Sequence, residues 1–221
     1  MKTFFSIWHL LTLLALMLPV VYLLYTWNAL PAQIPTHFDI SGNANGYTDK
    51  ANIWVVCVFL PLSTYLLFLF IPRFDPKQRL DANNPNYHKL MLAFVGLLSG
   101  ISVYCLYVAL HPAVKPGQGM AVVLGLFFAL VGNYLTTVQP NYFVGFKTPW
   151  ALEFPRIWAR VHRLGGRLFF ASGLLSAVLA LLFPVQMATV VLLVGAFASV
   201  AVVYWYSYWL YKKEMQAVQA E

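Results

Sequence analysis

Charged residues are scarce in this chain of 221 residues. Asp, Glu, Lys and Arg together make up 10% of it, whereas 61% of it is hydrophobic. A water-soluble domain averages about 25% charged residues, and so few polar atoms could not cover a surface that faces water. The scarcity excludes a soluble enzyme, a disordered segment and a secreted disulfide scaffold. It predicts an integral membrane protein.

Long runs without any charged residue give the number of membrane crossings. A helix that crosses a bilayer needs about 20 mostly apolar residues. No Asp, Glu, Lys or Arg occurs in residues 3–38, 51–72, 90–114, 116–146 or 168–211. The last run is long enough for two crossings, and Pro184 near its middle is a natural turn. We therefore predict an all-α, polytopic membrane protein with six transmembrane helices, near residues 4–27, 53–72, 90–110, 119–138, 166–183 and 187–210.

The first apolar run is expected to be a retained anchor. It extends from Phe4 to Trp27, which is longer than the roughly 7–15 apolar residues of a signal peptide. Residues 28–31 also make a poor cleavage site, so we do not expect removal of this segment.

The basic residues predict the orientation. Cytoplasmic loops carry an excess of Lys and Arg, and all but two of the 14 basic residues fall on one side. We therefore expect both termini in the cytoplasm (N-in/C-in) of a bacterial cytoplasmic (inner) membrane. The net charge of +7 then faces anionic membrane lipids, and no direct nucleic-acid binding is expected. The predicted inner residues are Lys2, Arg73, Lys77, Arg79, Lys89, Lys147, Arg156, Arg160, Arg163, Arg167, Lys212 and Lys213, and the outer ones are Lys50 and Lys115.

The predicted helices lack the groups that ion coupling and catalysis use. They contain no carboxylate or strong base, which disfavours an ion-coupled transporter, although backbone carbonyls alone can hold Na⁺. No metalloprotease or serine-hydrolase motif is present, so we expect no enzyme activity and no cofactor. We interpret His9 and His111 as interfacial residues, and Cys57 and Cys105 as apolar packing residues.

The outer loop within residues 28–52 is predicted to form a small hairpin or an ordered loop. Pro31 and Pro35 keep the chain extended as it leaves the membrane. Thr36 to Ile40 is then a short strand, with His37 and Asp39 on one face. Ser41 to Gly46 is a turn, and Tyr47 to Lys50 returns toward the second helix.

Three interpretations of this outer loop stay open. His37 and Asp39, with Asp49, could ligate a metal, but without a second His or Cys the set is weak and no metal is predicted. We prefer that Asp39 caps its own turn while His37 hydrogen-bonds to loop backbone. The loop could also be an external docking surface for a peptide, for which the candidate residues are Pro35, His37, Phe38, Asp39, Gly42 and Lys50.

The inner segment 139–166 carries both basic and polar patterns. Thr148 before Pro149 predicts a helix start, and Pro155 restarts a helix that can continue into the fifth crossing. Gly165 and Gly166 would allow close helix packing or a bend. An arginine stripe with helical spacing is typical of interfacial anchoring, and its members are Arg156, Arg160, Arg163 and Arg167.

A set of polar residues in this region predicts a hydrogen-bonded cluster, which we interpret as structural. We expect Glu153 to pair with Arg156 or Lys147. Glu153 and His162 could form an acid–base pair, but no nucleophile or metal ligand stands beside them in the sequence. The polar set is Asn133, Asn141, Lys147, Thr148, Glu153 and His162.

These residues also carry a resemblance. Gly132-Asn133, the run from Asn141 to Trp150, and Trp158-x-x-x-His162-Arg163-x-x-Gly166 resemble the signature of the SdpI family of bacterial membrane proteins. The outer loop, from Ile34 to Lys50, resembles the N-terminal domain of unknown function that accompanies it. Lys147 stands where the family usually has Arg, and it supplies a point charge where Arg could make a bidentate contact. The motif residues that the resemblance implies are Asn133, Asn141, Gly145, Lys147, Thr148, Pro149, Trp150, Trp158, His162, Arg163 and Gly166.

The resemblance implies an immunity and signalling protein. Such a protein would protect a bacterium against a membrane-active peptide toxin outside and would dock a transcriptional regulator inside, with membrane lipids as its other partners. The alternative is a transporter of a small solute or lipid. The expected organisation is an N-terminal membrane domain (residues 1–72), helix 3 with its flanking loops (73–118) and a C-terminal SdpI-like membrane domain (119–221).

Overall fold

Six helices long and apolar enough to cross a membrane occur in the computed structural model, which describes residues 7–74, 80, 82–114 and 116–219. This confirms the expected number of crossings and the all-α membrane class. Four basic residues used to predict the orientation, Lys2, Lys77, Arg79 and Lys115, lie outside the described residues, and the orientation stays a prediction.

Seven helices and one hairpin make up the described fold. The strands are β1 (Gln33–Phe38) and β2 (Ala44–Asp49), which pair antiparallel. A π-helical turn (Val55–Phe59) leads into the second helix. The helices are α1 (Ile7–Thr26), α2 (Leu60–Phe74), α3 (Pro85–Leu110), α4 (Pro116–Leu135), α5 (Pro149–Glu153), α6 (Pro155–Leu182) and α7 (Val185–Gln219).

Proline sets several helix boundaries. It occupies the first position of α3, α4, α5 and α6, where its missing N–H costs nothing and its fixed φ suits a helix. Asn84 caps α3 by accepting a hydrogen bond from the Asn86 backbone N–H at 2.9 Å, so this helix starts earlier than the predicted residue 90. The α6–α7 break falls at Pro184, as expected.

Two pairs of glycines bring α4 and α6 into close contact. A Cβ added at Gly125 would lie 2.7 Å from the Gly173 carbonyl oxygen, and one added at Gly132 would lie 2.6 Å from that of Gly166. On each helix the two glycines are seven residues apart, which is about two turns and one face. The backbones therefore meet without intervening side chains, and the prediction of close packing at Gly166 is confirmed.

The described fold has a hairpin end and a loop end. At the hairpin end, the β1–β2 turn meets the starts of two helices: a Cβ added at Gly42 would lie 2.5 Å from Gly117 Cα and 3.5 Å from Val185 Cγ1. At the opposite loop end, residues 136–148 connect α4 to α5, and α6 begins. The two regions singled out in the sequence thus lie at opposite ends of the helices.

Candidate functional site

The outer loop forms the predicted hairpin with different bounds. β1 runs from Gln33 to Phe38, so Asp39 lies in the turn and does not share a strand face with His37, contrary to expectation. Between the strands the Thr36 and Thr48 hydroxyl groups hydrogen-bond at 2.9 Å. The Gln33 side-chain amide donates to the Asp49 carboxylate, which fixes the open end of the hairpin.

Asp39 organises the turn. Its Oδ1 accepts hydrogen bonds from the backbone N–H groups of Ser41 at 2.8 Å and Asn43 at 2.9 Å. The predicted self-capping role is confirmed. Gly42 adopts a φ of 80°, a left-handed conformation that favours glycine at this position of the turn.

His37 is exposed, and its Nδ1 is hydrogen-bonded to the side-chain oxygen of Asn45. The expected bond to loop backbone is therefore wrong, because the partner is a side chain on the facing strand. Within the described ranges, no group of three or more His, Cys, Asp or Glu residues is placed to hold a metal ion.

The hairpin is fixed to the helices beneath it. Ile34 is fully buried in an apolar cluster with Leu23, Ile53 and Leu106, and Pro35 is buried beside it. Lys50 Nζ donates to the Leu30 carbonyl oxygen at 3.2 Å and lies 4.9 Å from the centre of the Trp27 ring. The base of the hairpin is thus anchored, while two large side chains stay exposed: Ile40 in the turn at 51% and Tyr47 on β2 at 58%.

At the loop end, Asn141 holds the loop in shape. Its side chain is fully buried. Nδ2 donates to the carbonyl oxygens of Gln139 at 2.8 Å and Val144 at 3.1 Å. Oδ1 accepts from the N–H groups of Phe143 at 2.8 Å and Val144 at 2.7 Å. Both donors and both acceptor positions of the amide are used, so Asn141 fixes the conformation of residues 139–144.

His162 ties the same loop to α6. It is 1% exposed; its Nε2 accepts a hydrogen bond from the Phe146 N–H at 2.8 Å, and its Nδ1 is 2.9 Å from the Trp158 carbonyl oxygen. The accepting role of Nε2 places the proton on Nδ1, so the ring is neutral in one tautomer. Gly145, with a φ of 118°, passes so close to His162 that a Cβ there would overlap Nε2.

Thr148 and Trp150 dock α5 against α7. Thr148 Oγ1 accepts from the Ala151 N–H at 3.2 Å, which confirms the predicted helix start. The same hydroxyl hydrogen-bonds to Ser207 on α7 at 2.6 Å. The Trp150 ring lies 5.1 Å from that of Tyr208, so a polar contact and an aromatic contact hold the short helix.

Several predicted members of the polar cluster lie elsewhere. Asn133 is exposed and lines a groove between α3 and α4. Lys147 is exposed, and its Nζ donates to the Tyr142 carbonyl oxygen at 3.3 Å. Within the described part of the chain, Glu153 makes no ion pair with Lys147 or Arg156, contrary to expectation. Arg163 is exposed and lines a second groove, between α6 and α7.

Comparison with known proteins matches both regions. Residues 137–208 match the model of the SdpI/YfhL protein family, and residues 14–61 match a domain of unknown function, DUF1648. The resemblance to the SdpI family is confirmed. The chain is also 21% identical over 184 residues to the immunity protein SdpI of Bacillus subtilis (strain 168), covering 83% of this chain and 86% of that protein. None of the solved structures compared with the chain matches it.

The two matches coincide with the two structured ends. The DUF1648 match encloses the whole β1–β2 hairpin and the part of α1 from residue 14 onward. The SdpI/YfhL match encloses the loop, α5, α6 and the part of α7 that reaches Ser207. Together with the six apolar helices, the family resemblance makes this a multi-pass bacterial cell-membrane protein.

Sequence reasoning missed the α7 side of the SdpI-type region. Ser207 and the aromatic residues around Trp150 come from the last apolar run. A signal was present, because Tyr204, Tyr208 and Tyr211 recur at helical spacing and Ser207 lies between them. A polar residue on the aromatic face of an apolar helix indicates a partner on a neighbouring element.

Proposed function

We propose that this protein is a membrane immunity protein that protects the cell by binding a membrane-active peptide at the β1–β2 hairpin. The observation that carries the proposal is a hairpin anchored to the helices that leaves Ile40, Tyr47 and His37 exposed. The similarity to a protein named for immunity supports the same assignment. The proposal includes no catalytic step.

The hairpin is preorganised for binding. A surface that is already ordered loses little conformational entropy on binding, so more of the contact energy contributes to affinity. Asp39 fixes the turn, and Lys50 and Ile34 fix the base. Tyr47 supplies an aromatic surface with a polar tip, the kind of side chain that is enriched at protein interfaces.

The test is protection of living cells. A strain that lacks the gene is complemented with the wild-type protein, with Tyr47→Ala or His37→Ala, or with Ser41→Ala as a control in the same hairpin. We expect the wild type and the control to raise the inhibitory concentration of at least one membrane-active peptide. Removal of a contact residue such as Tyr47 should weaken binding about ten-fold, at unchanged protein level. Equal sensitivity of deleted and complemented strains across a broad peptide panel would contradict the proposal.

We propose further that exposed basic residues at the loop end dock a cytoplasmic regulator. Lys147 and Arg156 are exposed there; Lys77 and Arg79, which belong to the same proposal, lie outside the described residues. The transcriptional response to a sublethal peptide dose should be lost in a Lys147→Glu/Arg156→Glu variant that still protects the cell. A transcriptional response of this variant equal to that of the wild type would contradict regulator docking. It would not bear on the immunity proposal.

One observation favours a second candidate, transport of a small solute or lipid. A groove of about 590 Å³ runs between α3 and α4. It is polar at the loop end, where Asn86, Lys89 and Asn133 line it, and apolar beyond. Reconstituted protein should then move a labelled lipid between leaflets or a solute between compartments. A flux equal to that of protein-free vesicles, also under Na⁺ and H⁺ gradients, would contradict transport and leave immunity as the remaining proposal.

A further inference from the structure

A second groove, of about 510 Å³, lies between α6 and α7 at the loop end. Three of its lining residues, Arg160, Arg163 and Arg167, come from α6, and Lys213 comes from α7. No Asp or Glu is among its lining residues in the described part of the chain. The groove therefore concentrates four positive charges without a compensating carboxylate.

The helix geometry explains the convergence. Arg160, Arg163 and Arg167 are spaced three and four residues apart, so they share one face of α6 over about 10 Å. The two helices run antiparallel through the short break at Pro184. This arrangement brings the end of α7, with Lys213, to the start of α6, with Arg160. The charges thus form a row along the seam between two helices.

The walls of the groove differ from those of a water-filled anion site. Leu164 and Leu210 line it, and so do Tyr206 and Trp209, whose rings stack with centroids 5.9 Å apart. Lys213 Nζ lies 5.5 Å from the centre of the Trp209 ring. Tyr and Trp beside cations are typical of the headgroup level of a bilayer, and the apolar walls suit an acyl chain. Simple anchoring by independent, water-facing arginines would not require this cavity.

We propose that this groove is a specific binding site for an anionic phospholipid. The planar guanidinium groups bind phosphate oxygens through paired N–H donors, and the leucine and aromatic walls take the upper part of an acyl chain. Basic pockets between transmembrane helices are suited to such headgroups. The site is independent of the hairpin and of any peptide.

The experiment measures lipid binding to the purified full-length protein. Native mass spectrometry follows binding of phosphatidylglycerol, and of phosphatidylcholine for comparison, to the wild type and to Arg163→Gln and Arg167→Gln. The matched control is Arg156→Gln, which removes one exposed charge from the same helix outside the groove. We expect preferential binding of phosphatidylglycerol to the wild type. Each groove variant should bind it about five-fold more weakly, and the control should keep the wild-type affinity.

Several outcomes would overturn the proposal. Equal binding of both lipids would show that the basic residues serve only as general membrane anchors. An equal loss of phosphatidylglycerol affinity in Arg156→Gln would show the same. Displacement of bound lipid by millimolar inorganic phosphate would indicate a soluble-anion site, and displacement by an acidic peptide would indicate a protein-docking site. If a groove variant does not fold, photolabelling of the wild-type protein still tests the site. A photoreactive phosphatidylglycerol should label peptides that contain Tyr206 or Trp209, and labelling elsewhere contradicts the site.

Discussion

Thr148 and Ser207 are joined by a hydrogen bond of 2.6 Å between two fully buried hydroxyl groups that are 59 residues apart in the sequence. Thr148 also caps α5, so one side chain both starts the short helix and ties it to α7. Both residues lie within the stretch that matches the SdpI/YfhL family. The contact therefore links the loop to the last transmembrane helix of that region.

Loss of this contact should destabilise the loop end. We expect Ser207→Ala to lower the free energy of unfolding by about 1 kcal/mol, the typical net contribution of one hydrogen bond. Thr148→Val should cost about 2 kcal/mol, because it also removes the cap. Unfolding of the purified protein in detergent measures both. The control is Ser199→Ala on the same helix, whose hydroxyl donates to the Gly195 carbonyl oxygen within that helix. A loss as large as that of Ser207→Ala would contradict the role of the inter-helix contact.

The glycine pairs between α4 and α6 predict a steep sensitivity to a single methyl group. A Cβ at Gly166 would lie 2.5 Å from the Gly132 carbonyl oxygen, so Gly166→Ala must push the helices apart. Overpacking of this kind typically costs about 1–3 kcal/mol. Gly100→Ala is the matched control, because a Cβ there meets nothing within 4 Å. It should be neutral or stabilise helix α3 by up to about 1 kcal/mol.

Thermal unfolding in detergent separates the two glycine variants. A midpoint for Gly166→Ala at or above that of Gly100→Ala would show that the helices are not packed through these glycines.

Much of this architecture could be predicted from the sequence because the bilayer limits where charged residues can lie. A charge inside a bilayer is expensive, so the charge-free runs gave six crossings. The Asn and Gly residues before Tyr47 indicated a hairpin. The predicted start of α3 at residue 90 is wrong, because Lys89 ends the charge-free run but not the helix. Its ammonium group instead lies over the Trp8 ring at 5.1 Å, and the helix continues past it to the Asn84 cap.

Contacts that depend on how the chain folds back could not be predicted. Asn133 follows Gly132 directly, but one residue turns a helix by about 100°. Gly132 therefore packs on α6, while Asn133 faces the α3–α4 groove. Likewise, the sequence predicts only that His162 belongs to a hydrogen-bonded polar cluster. Its acceptor role toward Phe146, 16 residues earlier, depends on the loop shape that Asn141 imposes.

His162 should act through its acceptor nitrogen and not through its size. His162→Phe keeps a ring to stack on Trp158, at a present centroid distance of 3.9 Å, but leaves the Phe146 N–H without a partner. An unsatisfied buried donor costs about 1–3 kcal/mol, so the yield of folded protein in membranes should fall. His111→Phe makes the same chemical change at an exposed position and should leave the yield unchanged. Normal yield of His162→Phe with loss of protection would instead assign His162 a functional role.

The hairpin turn predicts a local effect that leaves the membrane helices intact. Gly42→Ala introduces a side chain at a φ of 80° and at 2.5 Å from Gly117 Cα, so the turn must lift away from the start of α4. The hydrogen bonds from the Asp39 N–H to the Asn43 carbonyl and from the Gly42 N–H to the Asp39 carbonyl, both 2.9 Å, should then open more often. Hydrogen exchange should lose protection across residues 33–49 while the helices keep theirs. Ser41→Ala, in the same turn, should behave like the wild type. If Gly42→Ala retains full hairpin protection, the turn is not held by its contact with Gly117, and the preorganised surface on which peptide binding is argued loses its physical basis.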